Sequence, residues 1–425
     1  MNFRTAINSR DVAAVIIRRW MEKGEFPDRL MGSVVQDRGF VTELVYGAVK
    51  WKRQLEWAVK RCSRSLPPLP LRAHLMVGLY QILDMEDVEV YAAVNETVDA
   101  VKAHFAQPQA DFVNAILRRA AREKEILLKE LQAESIGVQT SHSELLVSRW
   151  TAAFGADKTR ALCEWNNRPA QVVVRISPSR IQMDDFLDRL ASSGMRGEAH
   201  PFCPDHFATL PRGVAPARVP GYEDGWFSVQ DPSTFMAVQL LAPQPRERVL
   251  DACAAPGGKL MAMAEMMGGG ETLVAMDVHN ERLAILKDNL KRMGLGEVEV
   301  VRGDMTQGGG VKELEGRVFD AILLDVPCTN TGVLRRRADA RWRFSMESMG
   351  RVNVTQRAIL DAASMYVRNG GRMVYSTCSL EPEEDEMLVA GWLASHPSFE
   401  LAKQSKLFPA VDGVDGAYAA LLVRR

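Results

Sequence analysis

Apolar positions in the first third of the chain recur at three- and four-residue intervals. In "FVTELVYGAVKWKRQLEWAVKRC", Phe40, Leu44, Val45 and Val49, then Leu55, Ala58 and Val59, fall at helical spacing. "LRAHLMVGLYQILDM" and "YAAVNETVDAVKAHF" continue the pattern, with Pro67, Pro68 and Pro70 breaking the chain between helices. "ADFVNAILRRAAREKEILLKELQ" closes the block. No alternating run interrupts it, so residues 1–135 are predicted to form an all-α domain. The polar stretch "AESIGVQTSHSE" that follows predicts a linker.

The period then changes. Residues 141 to about 165 read as helix, and "AQVVVRISPSR" is a β-branched run closed by a turn. "MDDFLDRLASSG" reads as a further helix, and Pro and Gly between 201 and 225 predict loops and short strands. Residues 141–224 therefore predict linker helices and a small α/β unit. From 225 to 425, short apolar runs alternate with amphipathic helices. The candidate strands are "RVLDACA", "TLVAMD", "VEVVRGD", "FDAILLDVP" and "GRMVYSTCS", with helices such as "NERLAILKDNLKRMG" and "MGRVNVTQRAILDAASMYV" between them. This order predicts a mainly parallel sheet covered on both faces. In such sheets a ligand binds outside the carboxyl ends of the strands.

Composition removes several classes. The chain is 425 residues long, 47% hydrophobic and 25% charged, as in an ordinary globular protein with room for a sizeable core. Its formal net charge is −1, so nucleic-acid binding would have to come from local patches. The N-terminal "MNFRTAINSRDVAAVIIRRW" is too short in its apolar part for a signal segment. No run reaches the roughly 18 apolar residues of a membrane span, so a cytoplasmic protein without a membrane partner is expected. Six cysteines without dense spacing do not form a disulfide framework. Without CxxC or HExxH no zinc site is expected.

Candidate chemistry gathers at the strand ends. "LDACAAPGGKL" passes from strand to helix through Pro256, Gly257 and Gly258, where glycine lets the backbone approach a ligand. It is neither G-x-G-x-x-G nor G-x-x-x-x-G-K-[ST]. The next strand ends in Asp277, 19 residues past Gly258 (277 − 258), near the spacing of about 20 at which an acid grips a ribose diol. Asp304 and Asp325 end the third and fourth strands. A glycine turn followed by three acids suits an adenosine with a cationic or amino-acid tail, and S-adenosylmethionine answers that description. A lone strand-end Asp is as often a helix N-cap, but three in register behind the turn outrun that explanation. Lys259 opens the helix beside these acids.

Two cysteines stand at strand ends 50 residues apart (378 − 328), Cys328 in "DVPCTNTG" and Cys378 in "YSTCSLEPEED". An isolated intracellular cysteine is usually inert core. Two beside a cofactor turn reverse that expectation. A thiol becomes nucleophilic only where its setting favours the thiolate. Cys378 precedes "SLEPEEDEMLVAGWL", read as a helix that Ser379 or Glu381 could cap. Cys328 lies beside Arg335 to Arg337 in sequence, and either sulfur is chemically plausible. Cys62, Cys163 and Cys203 read as structural.

"DACAAPGGK", "DVPCTNTG" and "YSTCSLEPEEDE", in this order, resemble the RNA cytosine-5 methyltransferases. "LRAHLMVGLYQIL…AAVNETVDAVK…DFVNAILRR" is similar to the NusB-like RNA-binding domain fused to their RsmB (Sun, Fmu) branch, and "GWFSVQDPSTFMAVQLL" resembles the entry to its catalytic domain. The resemblance spans nearly the whole chain. It implies three parts: an all-α NusB-like domain, a small α/β middle region and a Rossmann-like methyltransferase domain. It also implies methylation at C5 of one cytosine of 16S ribosomal RNA, of the cytosine-967 type, and separately a monomer is expected. Cys253, Ala254, Ala255, Pro256, Gly257, Gly258 and Lys259 would line the S-adenosylmethionine site, with Asp277, Arg282, Asp304 and Asp325. Cys378 would be the nucleophile, Cys328 would help break the adduct, and Asp325 would hold or protonate N3. Three departures stand out. Thr329-Asn330 replaces the usual small residue and Gly, Leu260 replaces Thr, and "RRRADARW" stands where a His-Pro pair is common.

The chemistry asks for those groups. Cytosine C5 attacks a methyl donor only after a thiolate adds at C6, which is covalent catalysis on an unstacked base. Two basic runs are candidates for holding the RNA. "VLRRRADARWR" has Arg335, Arg336, Arg337, Arg341 and Arg343 with Trp342 among them, and reads as a phosphate track with a stacking platform. "KWKRQLEWAVKRCSR" has Lys50, Lys52, Arg53, Lys60, Arg61 and Arg64 against Glu56, and reads equally as a solvated face. The rival functions are a methyltransferase acting on tRNA, another RNA, DNA or protein, and an RNA-binding protein without catalysis.

Overall fold

A computed structural model describes residues 8–32, 34, 36–307 and 311–425. Residues 1–7 of the N-terminal stretch, read above as too short for a signal segment, lie outside the described residues. The chain divides into two compact units, residues 1–167 with 337–343 and residues 168–336 with 344–425. Sequence instead places divisions at 135–141 and at 224–225.

The first unit is helical among its described residues. Its centre is the helix Leu69–Asp84, apolar on nearly every side and buried from Leu71 to Leu83 apart from Arg72. The helices Ser9–Lys23, Arg38–Lys50, Lys52–Cys62, Val90–Lys102 and Gln107–Arg122 pack around it. Each turns an apolar stripe inward, as its spacing predicts. The expected linker at 133–144 is not one. Ile136–Gln139 is a helical turn, and Thr140, Ser141 and His142 are buried. Arg53 donates its N–H to Ser141 Oγ (3.0 Å) and its guanidinium to the His142 carbonyl (2.7 Å). Thr140 Oγ1 in turn donates to the Ile136 carbonyl (2.6 Å). The polar side chains satisfy backbone groups inside the fold, so polarity here does not mean exposure.

The second unit holds two sheets. The smaller is antiparallel, in the order β2-β3-β1-β4, with β1 Val173–Ile176, β2 Glu198–Ala199, β3 Phe207–Thr209 and β4 Phe227–Val229. The helix Met183–Ser192 covers it through Phe186 and Leu190. Strand β4 falls after residue 225, so this sheet closes with residues that sequence assigns to the next domain. The larger sheet has seven strands: β5 Val249–Asp251, β6 Leu273–Asp277, β7 Glu299–Arg302, β8 Phe319–Asp325, β9 Val367–Thr377, β10 Phe399–Leu407 and β11 Ala417–Arg424. Their order is β10-β11-β9-β8-β5-β6-β7. β5 to β9 pair in parallel, while β11 and β10 add an antiparallel edge that sequence does not anticipate.

Strand β8 shows why this sheet is two-faced. Ala321 and Leu323 enter one core cluster, Ile322 and Leu324 the other, and all four are fully buried. The strand order reverses between β5 and β8, which opens a crevice at their carboxyl ends. Asp251, Asp325 and Cys378 stand at or beside those ends. No described helix is long and apolar enough to cross a membrane.

Candidate active site

Strand β5 ends in Asp251, and the chain turns through residues 252–257 into the helix Gly258–Met267. Gly257 has φ 108°, a conformation that side chains disfavour. A Cβ there would also lie 2.7 Å from Leu286. The turn is held from outside: Asn289 Nδ2 donates to the Pro256 carbonyl (3.0 Å), Arg282 to that of Ala255, and Ala254 N to that of Met276 (2.8 Å). Cys253 N donates to Asp251 Oδ1 (3.4 Å). Burial first, then the neighbouring carboxylates, push the Cys253 thiol far up, so it stays protonated and unreactive.

Asp277, at the end of β6, is almost fully buried. Its Oδ1 accepts from His279 N (3.0 Å). Its Oδ2 takes no hydrogen bond, although Arg282 Nη1 approaches to 3.3 Å. A buried carboxylate oxygen without a donor is costly unless a ligand completes it. A ribose hydroxyl is the donor that such an oxygen fits, so the residues present fit S-adenosylmethionine. Asp304, beyond β7, is joined to this end because Gly303 N donates to the Asp277 carbonyl (3.3 Å). Its carboxylate is occupied within its own turn by Thr306 Oγ1 (2.6 Å) and N (2.9 Å), which hold it below the usual range.

Across the crevice, Lys259 Nζ lies 2.7 Å from Asp325 Oδ2. Burial would strip the lysine of its proton, but the Asp325 carboxylate, and Cys378 after it, outweigh burial and keep it charged. Ser376 donates to Asp325 Oδ1 (3.2 Å). Asp251, buried and beside Asp325, is pushed up to about 7 by burial first and that carboxylate second.

The two cysteines meet. Cys328 Sγ and Cys378 Sγ are 3.2 Å apart. The hydrogen bond to Cys378, then burial, raise the Cys328 thiol well above its usual value. The loops that carry them interlock. Gly332 N donates to the Cys378 carbonyl (2.9 Å), and a Cβ at Gly332 would sit 2.7 Å from that oxygen. Leu380 N donates to Thr331 Oγ1 (2.9 Å). Glu384, buried, gathers Thr329 N (2.9 Å), Thr329 Oγ1, Ser379 Oγ (2.7 Å) and Gln356 Nε2 (3.1 Å).

Three regions of the amino-acid sequence match known protein families. Residues 7–122 match the NusB family, 142–208 the ferredoxin-like domain of RsmF/B-like methyltransferases, and 238–422 the 16S rRNA methyltransferase RsmB/F family. A protein of Synechocystis named probable ribosomal RNA small subunit methyltransferase B is 34% identical, covering 92% of this chain and 90% of that one. Ribosomal RNA small subunit methyltransferase B of Klebsiella pneumoniae is 33% identical over 99% of both chains. The chain belongs to the ribosomal RNA small subunit methyltransferase B family. Its methyl donor is accordingly S-adenosylmethionine. The crystal structure of PH0851, at 23% identity, shares the fold over 98% of this chain and 99% of its own, with a TM-score of 0.80.

Within this methyltransferase B frame several readings change. The helix after Cys378 does not begin at Ser379 or Glu381. It runs Glu386–Leu393 with Asp385 at its N-cap, because Ser379 and Glu384 are drawn into the loop network and Pro382 opens a turn before it. That helix therefore starts eight residues past Cys378 (386 − 378), and the buried cation of the site is Lys259. The arginine run is not a phosphate track either. Arg336 pairs with Asp231 (2.7 Å) and Asp415 (2.6 Å), and Arg335 lies buried near Asp415. Within the first unit, Arg341 is fully buried and donates to Asn167 Oδ1 (2.8 Å) and the Ser141 carbonyl (3.2 Å). Trp342 donates to the Val49 carbonyl (2.7 Å), and Arg343 pairs with Asp339 (2.7 Å) and covers the Phe26 ring. Of the five arginines only Arg337 is exposed. In the other basic run, Lys52, Arg53 and Arg61 each face a glutamate, and Lys50 is largely buried, donating to the Asn167 carbonyl (3.4 Å).

Sequence reading passed over two acids in this site. Asp251 ends its strand as Asp277 and Asp325 do, and that shared position was the signal available for it. Glu384 carried no such signal, since two of its partners, Thr329 and Gln356, lie 55 and 28 residues away.

Proposed function

We propose that the chain methylates C5 of a cytosine in 16S ribosomal RNA, of the cytosine-967 type, through a covalent bond between Cys378 and C6 of the base. The observation that carries this reading is the pair of thiols 3.2 Å apart, at strand ends that also hold the Lys259–Asp325 ion pair. C5 of cytosine is a weak nucleophile until a sulfur adds at C6 and makes the ring enamine-like. The attacking sulfur must be ionised, and positive charge beside it favours that state. Lys259, paired with Asp325, is the cation of this site. Cys328, raised by its hydrogen bond to Cys378, is the member that keeps its proton.

Asp325 takes the N3 edge of the flipped base as the bond to C6 forms. Bound S-adenosylmethionine supplies the electrophilic methyl group. In this reading Asp277 would hold the ribose diol and Asp304 would serve the adenine end of the site. Arg282 fixes Asp277 and the 253–259 turn together. Once C5 carries its methyl group, the C5 proton passes to solvent water, its electron pair forms the C5–C6 double bond, and the C6–S bond breaks with its pair leaving on the Cys378 sulfur. Cys328 assists that release from its place beside the departing sulfur.

The test is bisulfite sequencing of small-subunit ribosomal RNA from cells with and without this gene. The proposal expects one cytosine to lose protection when the gene is absent, with protection restored by the parent chain but not by Cys378→Ala. An unchanged pattern would remove RNA cytosine-5 methylation from the account.

A further inference from the structure

Asn330 occupies a place that no part of the reaction scheme assigns. Its backbone is left-handed, with φ 61° and ψ 27°, a conformation Asn tolerates better than most side chains. That conformation turns its amide back between the two cysteine loops. Asn330 Nδ2 donates to the Cys328 carbonyl (2.9 Å). The carbonyl can only accept, which fixes the amide's orientation and leaves Oδ1 toward the other cysteine. Cys378 Sγ lies 3.4 Å from that Oδ1, within reach for its S–H to donate.

We propose that Asn330 is a positioning residue for Cys378, one that holds its sulfur as a thiol between catalytic cycles. The inference rests on the reading of Cys378 as nucleophile. Its physical basis is one-sided hydrogen bonding. Oδ1 can accept from Cys378 only while the sulfur carries a proton. Neither a thiolate nor the thioether of an RNA adduct has a hydrogen to give, so this contact favours the free thiol over both. The other groups facing the sulfur act differently. Cys328 donates toward it, and Lys259 brings positive charge with Asp325 behind it. Glu384 faces Cys328 and holds the hydroxyl of Ser379, the residue that follows Cys378. Asn330 is thus a brake opposed to Lys259. A glycine there, the residue to which a left-handed backbone is best suited, would keep the loop and drop the brake.

The experiment is alkylation of the full chain by iodoacetamide across a pH series, with Cys378 read by peptide mass spectrometry, in the parent, Asn330→Gly and Asn330→Asp. No RNA is needed, so the result stands even if a different group proves to be the nucleophile. Calorimetric binding of S-adenosylmethionine checks that each variant keeps the neighbouring site. The pH midpoint for Cys378 should fall in Asn330→Gly by about half a unit, about a threefold rise in rate below the midpoint. It should rise in Asn330→Asp, where a carboxylate opposes the thiolate. A purely structural role would move both variants in the same direction or neither, and that result overturns the proposal. Should Asn330→Asp fail to fold, Asn330→Gly alone decides: a midpoint equal to or above the parent's overturns it.

Discussion

The arginine run at 335–343 and the strand ends at 251–259, 277 and 325–330 are both dense in polar residues, yet they end differently. In the run, most guanidinium and indole donors are paired within the fold by Asp231, Asp415, Asn167 and backbone carbonyls, while Arg341 Nε and Asp415 Oδ1 stay buried without a hydrogen bond. At the strand ends, capacity is left over. Asp277 Oδ2 accepts nothing, Asp251 is lifted out of its ordinary range, and two thiols touch. Buried polar groups are normally satisfied, so an unpaired one points to a ligand where, as at Asp277, it stands at the carboxyl end of a parallel strand. A polar cluster in a sequence indicates function only where the fold sets that spare capacity at a strand end open to a ligand.

The largest effect that could break this contrast is at Arg341. Arg341→Ala leaves the Ser141 carbonyl and Asn167 without a buried partner and should cost about 3 kcal/mol, read as a lower midpoint in denaturant. The salt dependence of RNA binding by the folded variant should match the parent's. A shallower slope with unchanged stability would make Arg341 a phosphate contact after all. At the strand ends the order reverses. Asp277→Asn should weaken S-adenosylmethionine binding about tenfold or more by calorimetry, since a charged acceptor for the diol is lost, while global stability changes little.

The smallest effect concerns pH. The Asp251 carboxyl is raised from 3.8 to about 7, so the folded chain holds its proton where the unfolded chain has lost it. The stability this gives is full below about pH 4 and is lost as pH rises through about 7. Asn cannot ionise and still accepts from Cys253 N. The melting temperature of Asp251→Asn should therefore gain on the parent by a few degrees, roughly, between pH 5 and pH 8. A constant gap would mean that Asp251 is ionised throughout.

Much of the fold was legible because the parallel strands are short apolar runs ended by acids, as in "TLVAMD". The antiparallel edge was not. Five successive residues of β10, Glu400 to Gln404, are exposed, so it shows no alternation, and β11 is too continuously apolar to declare its direction. The glycine turn and both cysteines were legible from residue type and place. What controls them was not, because the controlling contacts join distant segments. Lys259 reads as a helix-start cation until β8 brings Asp325 to it. Thr329-Asn330 reads as a departure until Glu384 and Cys378 arrive from about 50 residues on. The first basic run stayed open between two readings for the same reason, since Arg53 and Arg61 find their glutamates 91 and 69 residues away.

In the proposed reaction Cys378 attacks and Cys328 assists release. Incubation of each alanine variant with S-adenosylmethionine and 5-fluorocytidine RNA, followed by denaturing electrophoresis, tests it most directly. Cys378→Ala should give no covalent complex, while Cys328→Ala should give one, and should retain it with unfluorinated RNA as well. A complex that persists in Cys378→Ala and vanishes in Cys328→Ala would contradict the account and exchange the two roles.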